Sequence, residues 1–294
     1  MMRILNRLLV IVVLIVYGFF TSGCSVWHDQ FGSSKNLTPG HLLFYQKYEE
    51  RDYAEHLKSI GQQYLIAPSV IAIDPSNKAL QYLTKIYSTI VNNNELLLNK
   101  SISPRFFIVN DPSPFYFSLP GGQFFFSVAL INKYFEHEQW LVAALAHEII
   151  RSHLHIYVKR RIVPVGYVST ARILSLTRLP LETKIEVNKW TYLAMQRAGY
   201  DSSALLTWLQ TQNKNALDFT LQLGNSRNIS REEFMFKNFV AQKGISERDG
   251  RAEEINSSKD FYNFISEIKK IEIKGNTTSV SEGKGGQPLA SRYF

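Results

Sequence analysis

The chain has 294 residues, of which 45% are hydrophobic and 20% are charged, and its formal net charge at pH 7 is +8. These values exclude a disordered protein and are typical of a globular chain that buries one sizeable core. The basic residues alternate with acidic ones, so we expect no nucleic-acid partner. We interpret the one dense basic cluster, Lys159-Arg160-Arg161, as a complement to the negative end of a helix, in preference to a membrane or nucleic-acid patch.

The first 23 residues have the layout of a secretory signal peptide. Arg3 and Arg7 precede an apolar stretch over residues 8–20, which is too short for a comfortable membrane span. The four residues that end at Cys24, with the sequence TSGC, resemble a bacterial lipobox. This resemblance implies cleavage of residues 1–23 and attachment of lipid to Cys24. The alternative is a signal anchor that stays uncleaved.

Cys24 is the only cysteine of the chain, so it cannot form an internal disulfide. Residues 24–40 are polar and contain Gly, Ser and Pro, which predicts a tether between lipid and domain. If the lipobox resemblance holds, Ser25 favours the outer membrane. We therefore expect a lipid-anchored protein of the bacterial cell envelope that faces the periplasm.

Residues 41–273 are predicted to form the folded domain, which begins with helices and a small sheet. Apolar residues at three- and four-residue steps predict helices over 42–59 and 75–98, the second capped by Asp74 or Ser76. Three short β-rich runs with turn residues between them predict a small antiparallel sheet. The runs cover residues 105–110, 115–118 and 123–127.

The second half of the domain is predicted to be helical. A long helix over 136–160 carries His147 and ends before Pro164. The chain is then expected to be irregular up to Pro180. Residues 274–294, rich in Gly, Ser, Thr and Lys, are expected to form a flexible tail. Further helices are predicted over 182–197, which Gly199 ends, over 201–212, which Asp201 caps, and over 231–242 and 259–270.

Residues 147–151 read His-Glu-Ile-Ile-Arg and invite comparison with the zinc-peptidase signature H-E-x-x-H. In that signature two histidines at i and i+4 share a helix face and converge on Zn²⁺, while the glutamate activates water. Here the i+4 position is Arg151, whose guanidinium keeps its proton and only donates hydrogen bonds, so it cannot bind a metal. The motif retains one candidate ligand, His147, and one candidate general base, Glu148.

Neither later histidine replaces the missing ligand in a continuous helix. His153 lies about 240° around the helix from His147, and His155 lies about 80° round and roughly 12 Å further along the axis. A π-bulge or a break after Ile150 is the one arrangement that would bring His153 closer.

Three segments resemble, in the same order, the gluzincin metallopeptidases of the HtpX and BepA type. Residues 118–125, with the sequence SLPGGQFF, are similar to the family's proline-diglycine turn and edge strand. Residues 141–148 are similar to the helix that enters the zinc site. Residues 186–201, which end in AGYD, are similar to the helix that carries the third zinc ligand.

The resemblance implies an α+β, mostly helical zincin-like domain with a small antiparallel sheet beside the active-site helix, and zinc as cofactor. It places His147 and Glu186 on zinc ligands and Glu148 on the general base. It also places Trp190 where the family has an aspartate that orients the ligands. Gly121, Gly122 and Phe124 fall on the edge strand that binds substrate.

The same comparison predicts that the zinc site is degenerate. A guanidinium about 4 Å from Zn²⁺ would be repelled by roughly 8 kcal/mol at an effective dielectric constant of about 20. We expect zinc to be absent or weakly bound, and we expect Arg151 to occupy the metal position and pair with Glu186, Glu148 or both. The alternative is that Arg151 reaches solvent from an ordinary helix face.

Two functional classes follow from the resemblance. The first is a pseudopeptidase that binds envelope polypeptides along the edge strand without cleaving them. The alternative is an active zinc metalloendopeptidase in envelope protein quality control, with a ligand that the motif does not reveal. A purely structural envelope protein is a third interpretation.

Overall fold

The computed structural model describes residues 50–98, 102–158, 166–224, 226–243 and 257–278, all of which belong to one compact unit. Several predictions fall outside these residues: the signal peptide, Cys24, the tether, the Lys159-Arg160-Arg161 cluster and the tail beyond residue 278. No helix within the described part of the chain is both long enough and apolar enough to cross a bilayer.

The described residues form a mixed α and β fold in which helices predominate. In the first half, α1 spans Glu50–Leu65, β1 Ala72–Ile73, α2 Asn77–Asn92, β2 Arg105–Val109, β3 Tyr116–Leu119, β4 Gln123–Ser127 and α3 Val128–Tyr134. In the second half, α4 spans Glu138–His153, α5 Thr170–Thr177, α6 Leu181–Arg197, α7 Ala204–Lys214, α8 Thr220–Leu223, α9 Ser226–Gln242 and α10 Lys259–Thr278.

The sheet has four strands in the order β1-β2-β4-β3, and it is mixed rather than antiparallel. β4 pairs antiparallel with β3 but parallel with β2, so the predicted all-antiparallel sheet is wrong. After β2 the chain passes beyond the neighbouring strand position and forms β3. The β3-β4 hairpin then brings β4 back between β2 and β3, where it runs parallel to β2. β1 has only two residues, too few for a sequence pattern to predict it.

Both faces of the sheet are covered, which explains the run of three phenylalanines in β4. Phe124 and Phe126 point into the main core, which the larger group of helices encloses. Phe125 points the other way, where it stacks on Phe117 with ring centroids 4.5 Å apart and meets Tyr64 of α1 edge-on at 5.8 Å. The alternation of side chains along a strand therefore places every phenylalanine of the run in a packed layer.

Helix ends follow from local chemistry at several positions. Ser76 caps α2, since its hydroxyl accepts a hydrogen bond from the amide of Ala79 at 3.3 Å, and Gly199 ends the α6 segment with φ +77°. The helix predicted over 136–160 ends at His153, and His155 then adopts a left-handed φ of +51°. The stretch expected to be irregular before Pro180 contains α5.

The last helix, α10, is fastened to the rest of the fold at its start and near its middle. At its start, the Glu138 carboxylate accepts hydrogen bonds from the amide and hydroxyl of Ser258 at 2.6 and 2.8 Å. Further along, the Glu267 carboxylate accepts from the amide and hydroxyl of Ser76 at 2.6 and 2.7 Å. The helix continues to Thr278, so it includes the first five residues of the predicted tail.

Candidate functional site

The candidate site lies on α4, which packs against α6 and α7 and beside β3. Nearly every residue of α4 after Trp140 is buried, so polar side chains on this helix must find partners inside the protein. The side chains of Glu148 and Arg151 are 1% and 4% exposed. A buried carboxylate and a buried guanidinium are each costly unless paired, and the geometry shows that they are paired with one another.

One guanidinium nitrogen of Arg151, Nη1, donates to both oxygens of Glu148, at 2.9 Å to Oε1 and 3.0 Å to Oε2. The other terminal nitrogen, Nη2, donates to the backbone carbonyl of Thr177 at 2.5 Å, at the end of α5. Arg151 therefore turns inward, as the sequence predicted, and the alternative in which it reaches solvent is wrong.

Two more side chains hold the Glu148 carboxylate. Ser118 of β3 donates to Oε2 at 2.7 Å, and Nδ1 of His147 lies 3.1 Å from Oε1. Since an ionised carboxylate only accepts, His147 carries its hydrogen on Nδ1 in this arrangement. Burial by itself raises the pKa of Glu148, but the charge of Arg151 and the hydrogen bonds from His147 and Ser118 outweigh burial and lower that pKa to about 2.

Tyr157 covers this cluster from the segment that follows α4. The Arg151 guanidinium lies over its ring, 5.6 Å from the centroid, and its hydroxyl is 3.3 Å from Oγ of Ser118. The segment is itself tied down, because Tyr53 of α1 donates to the carbonyl of Val158 at 2.7 Å. The cluster is thus enclosed on the side of β3.

The opposite wall of the site comes from α6 and α9. Lys184 and Asn188, four residues apart on α6, both contact Glu232 of α9: Lys184 Nζ is 3.3 Å from Oε2, and Asn188 Nδ2 is 2.8 Å from Oε1. Glu232 is 5% exposed. The site therefore contains a second, largely buried ion pair.

Between these two pairs lies a cavity whose internal volume is about 30 Å³. This is room for roughly one or two water molecules. The cavity is lined by residues of both pairs and by side chains of β3, α5, α7 and α8. Its size leaves no space for a polypeptide segment next to Glu148.

Glu186 and Trp190 do not lie at this site. Glu186 has a side chain that is 61% exposed and pairs with Lys189 at 2.6 Å, and Trp190 is 40% exposed on the outer face of α6. The positions four residues apart that face the cavity are Lys184 and Asn188, two residues earlier. Since two residues rotate a helix by about 200°, the register inferred from the AGYD ending placed the wrong face of α6 inward, and Glu186 does not pair with Arg151.

The expected substrate edge is also placed differently. Phe124 lies in β4, which is a central strand with neighbours on both sides and offers no free edge. Gly121 and Gly122 form the β3-β4 turn with φ of +79° and +74°, and the hydroxyl of Ser152 on α4 accepts a hydrogen bond from the amide of Gly122 at 3.1 Å. These glycines shape the turn and do not line the cavity.

The two later histidines, His153 and His155, lie away from the cavity. His153 is 8% exposed, and its Nε2 lies 2.8 Å from the hydroxyl of Tyr87. That hydroxyl donates its hydrogen to the carbonyl of Ile102 at 2.6 Å, so His153 donates from Nε2, and its buried Nδ1 has no partner. α4 is continuous up to His153, and His155 is exposed beyond its end. Neither histidine lines the cavity.

The donor set around the cavity does not fit zinc. A catalytic zinc site needs three protein ligands and an open position. His147 and Glu148 lie there, but Arg151 holds Glu148 and Lys184 holds Glu232, and both cations would oppose a metal ion. Within the described residues, no group of three histidine, cysteine, aspartate or glutamate side chains is arranged to hold a metal.

No protein-family model matches this sequence, and no curated protein matches it.

Sequence reasoning missed Lys184, Asn188 and Glu232. Lys184 and Asn188 could have been considered from the sequence, since they have the same four-residue spacing as Glu186 and Trp190, to which the resemblance assigned roles in the site. Glu232 had none, because it comes from a helix far along the chain that no motif connects with α4.

Proposed function

We propose that this protein binds polypeptides of the bacterial envelope without hydrolysing them, as a lipid-anchored, zincin-like pseudopeptidase. The observation that carries the proposal is the Arg151-Glu148 pair, in which a fixed cation and its hydrogen bonds occupy the carboxylate that would serve as general base. The lipid on Cys24 and the envelope location come from the signal-peptide pattern, and the zincin-like ancestry comes from the motif resemblance.

The chemistry of Glu148 supports the non-hydrolytic part of the proposal. A general base works best when its pKa lies near the working pH, and the pKa of Glu148 is held near 2. Its two oxygens accept hydrogen bonds from Arg151, His147 and Ser118, so no oxygen is free to orient a water molecule. Glu148 in this environment is a structural anion.

The binding part of the proposal concerns β3, the sheet edge nearest the site. The amide of Tyr116 points away from β4 and donates to the side-chain Oε1 of Gln222 at 3.1 Å, where a neighbouring strand would supply a backbone carbonyl. Gln222 follows Leu221, which is 36% exposed, in the four-residue helix α8. All four residues of β3 are buried, so an extended polypeptide would have to displace α8 together with Gln222 before it adds a strand to this edge, the mode of peptide recognition called β-augmentation.

The test uses the full chain and fluorescein-labelled casein, an unstructured polypeptide. Fluorescence anisotropy measures binding, and gel electrophoresis of the same samples with and without added zinc measures cleavage. We expect casein to bind and to stay intact under both conditions. Gln222→Ala frees the Tyr116 amide and should tighten binding up to about tenfold, the equivalent of one hydrogen bond. Gln196→Ala, at an exposed position of α6, is the control.

Two results would contradict this function. Zinc-dependent cleavage that disappears in Glu148→Gln would show an active metalloendopeptidase. Casein that neither binds nor is cleaved would favour a purely structural protein.

A further inference from the structure

A small apolar patch lies on the surface formed by the end of α2 and the outer face of α6. Its apolar residues are Leu96, which is 102% exposed, Leu97, and Trp190, which is 40% exposed. We call this the Leu96-Trp190 patch. Its rim is polar and consists of Asn92, Asn93, Glu95 and Arg197.

The loop that carries Leu96 is held in place by buried contacts. Asn94 is 2% exposed, and its side-chain Nδ2 donates to the carbonyl of Ile90 at 2.8 Å and to that of Ala194, on α6, at 3.0 Å. The amide of Leu98 donates to the carbonyl of Asn94 at 2.8 Å, and the Leu98 side chain is 3% exposed. Leu96 is thus presented outward by a loop whose neighbouring residues are anchored in the core and to the helix that carries Trp190.

The patch is too small for a stable protein partner. A stable interface buries about 800 Å² on each side, with a packed centre of several residues. Two strongly exposed apolar side chains and a partly buried leucine fall far below that size. A second copy of the chain or a folded protein would need a larger contact than these residues provide.

The composition matches a phospholipid surface instead. Tryptophan is enriched at membrane interfaces because its ring is apolar while its N–H stays hydrated, and a protruding leucine can enter the acyl boundary. The rim supplies one cation, Arg197, and one anion, Glu95, and among the described residues neither forms an ion pair. A cation and an anion on the same rim complement the phosphate and ammonium groups of a zwitterionic headgroup.

We infer that the Leu96-Trp190 patch contacts the phospholipid headgroups of the membrane that carries the lipid anchor and so fixes the orientation of the domain on that membrane. This inference rests on the anchored state in the proposed function. A weak contact is sufficient there, because an anchor raises the effective concentration of the patch at the surface.

The experiment measures how close Trp190 comes to lipid. The full chain, with its anchor, is reconstituted into vesicles of phosphatidylethanolamine with a minor fraction of phosphatidylglycerol, prepared with and without brominated acyl chains, which quench nearby tryptophan. Trp27, Trp140 and Trp208 contribute a background, so the signal is the difference between the chain and Trp190→Phe. We expect a quenched component that disappears in Trp190→Phe and is lost in Leu96→Glu, while Leu96→Glu leaves the melting temperature unchanged.

Other outcomes overturn the inference in distinguishable ways. If the chain sediments with the vesicles but the fraction of fluorescence quenched is the same with and without Trp190, the lipid contact is refuted while the anchor is not. Chains that do not sediment with vesicles contradict the anchor and the lipid contact together. If quenching is equal and Leu96→Glu changes the molecular mass measured by light scattering, a second copy of the chain occupies the patch.

Discussion

Arg151 introduces a permanent positive charge into the core, where its side chain is 4% exposed, and Glu148 is the carboxylate that offsets it. The two residues lie three positions apart on α4, and both are almost fully buried. A histidine at the same position would have left the carboxylate without a cation. The identity of this one residue therefore decides whether Glu148 is available for chemistry or is committed to a structural ion pair.

The buried pair makes a prediction about stability. Arg151→Met leaves Glu148 charged and unpaired inside the protein, and loss of one partner of a buried pair costs about 3–5 kcal/mol. The matched control is Lys189→Met, which removes the cation of an exposed pair with the same spacing, Glu186-Lys189, and should cost less than about 1 kcal/mol. Urea unfolding of the three proteins measures both differences. Equal losses in the two variants would mean that the buried pair has no special role.

His153 makes a prediction about pH. Burial, with a smaller effect of His155, lowers the pKa of His153 to about 4, below its usual 6.5. The unfolded chain therefore binds a proton here before the folded protein does, so the stability contributed at this position is complete above pH 6.5 and is lost as the pH falls towards 4. The loss is on the order of 2 kcal/mol after allowance for partial solvent exposure.

The measurement is the free energy of unfolding between pH 7 and pH 4 for the chain and for His153→Gln, whose amide can keep the hydrogen bond to Tyr87. We expect the variant to show a flatter profile. His56, whose pKa is also lowered by burial, contributes a residual slope in both proteins. A profile unchanged by His153→Gln would refute the assignment.

At the scale of single elements, the turn between β3 and β4 shows how local backbone shape positions the site. A β-carbon on Gly122 would lie 2.6 Å from Ile102 Cγ2 and 3.0 Å from the carbonyl oxygen of Ser103, and its φ is +74°. Gly199 has a similar φ of +77°, but nothing lies within 4 Å of an added β-carbon. A residue with a side chain would be strained by the left-handed φ at either position, but only at position 122 would it also clash with packed atoms.

Alanine substitution separates these two effects. Gly199→Ala should lower stability by about 1–2 kcal/mol, the cost of a left-handed conformation for a residue with a side chain. Gly122→Ala adds a clash with packed atoms and should cost clearly more, because the turn is fixed to α4 through Ser152. Thermal unfolding compares the variants directly. A loss in Gly122→Ala no greater than that in Gly199→Ala would show that the turn can move away from α4.

Most elements could be predicted from sequence because their signals are local. The three longer strands and the cap at Ser76 depend on residues within a few positions of one another. The AGYD motif at the end of α6 could not show which face of the helix points into the protein, because an error of two residues turns the opposite face inward. Only the contacts of Lys184 and Asn188 with Glu232 identify the inward face. The inward turn of Arg151 was predictable, since a buried carboxylate at i−3 needs a cation.

At the scale of the whole molecule, the sheet order places β4 in the interior and β3 at the edge beside α4. Sequence could not supply this order, because parallel pairing of β2 with β4 depends on where the intervening chain crosses. The consequence is functional, since it moves the candidate polypeptide-binding edge from the phenylalanine run to Tyr116 and its neighbours. Around the cavity, Ser118 joins β3 to α4 through Glu148, and the Lys184-Glu232 pair joins α6 to α9.

The decisive measurement is the zinc content of the full chain, purified without chelators and then incubated with zinc and desalted. Elemental analysis measures the bound zinc, and casein cleavage by the same sample measures peptidase activity. Because Arg151 and Lys184 hold the carboxylates of the cavity, we expect no stoichiometric zinc and no cleavage. One zinc ion per chain, with cleavage that is lost in Glu148→Gln, would show that Glu148 is a general base and not a structural anion.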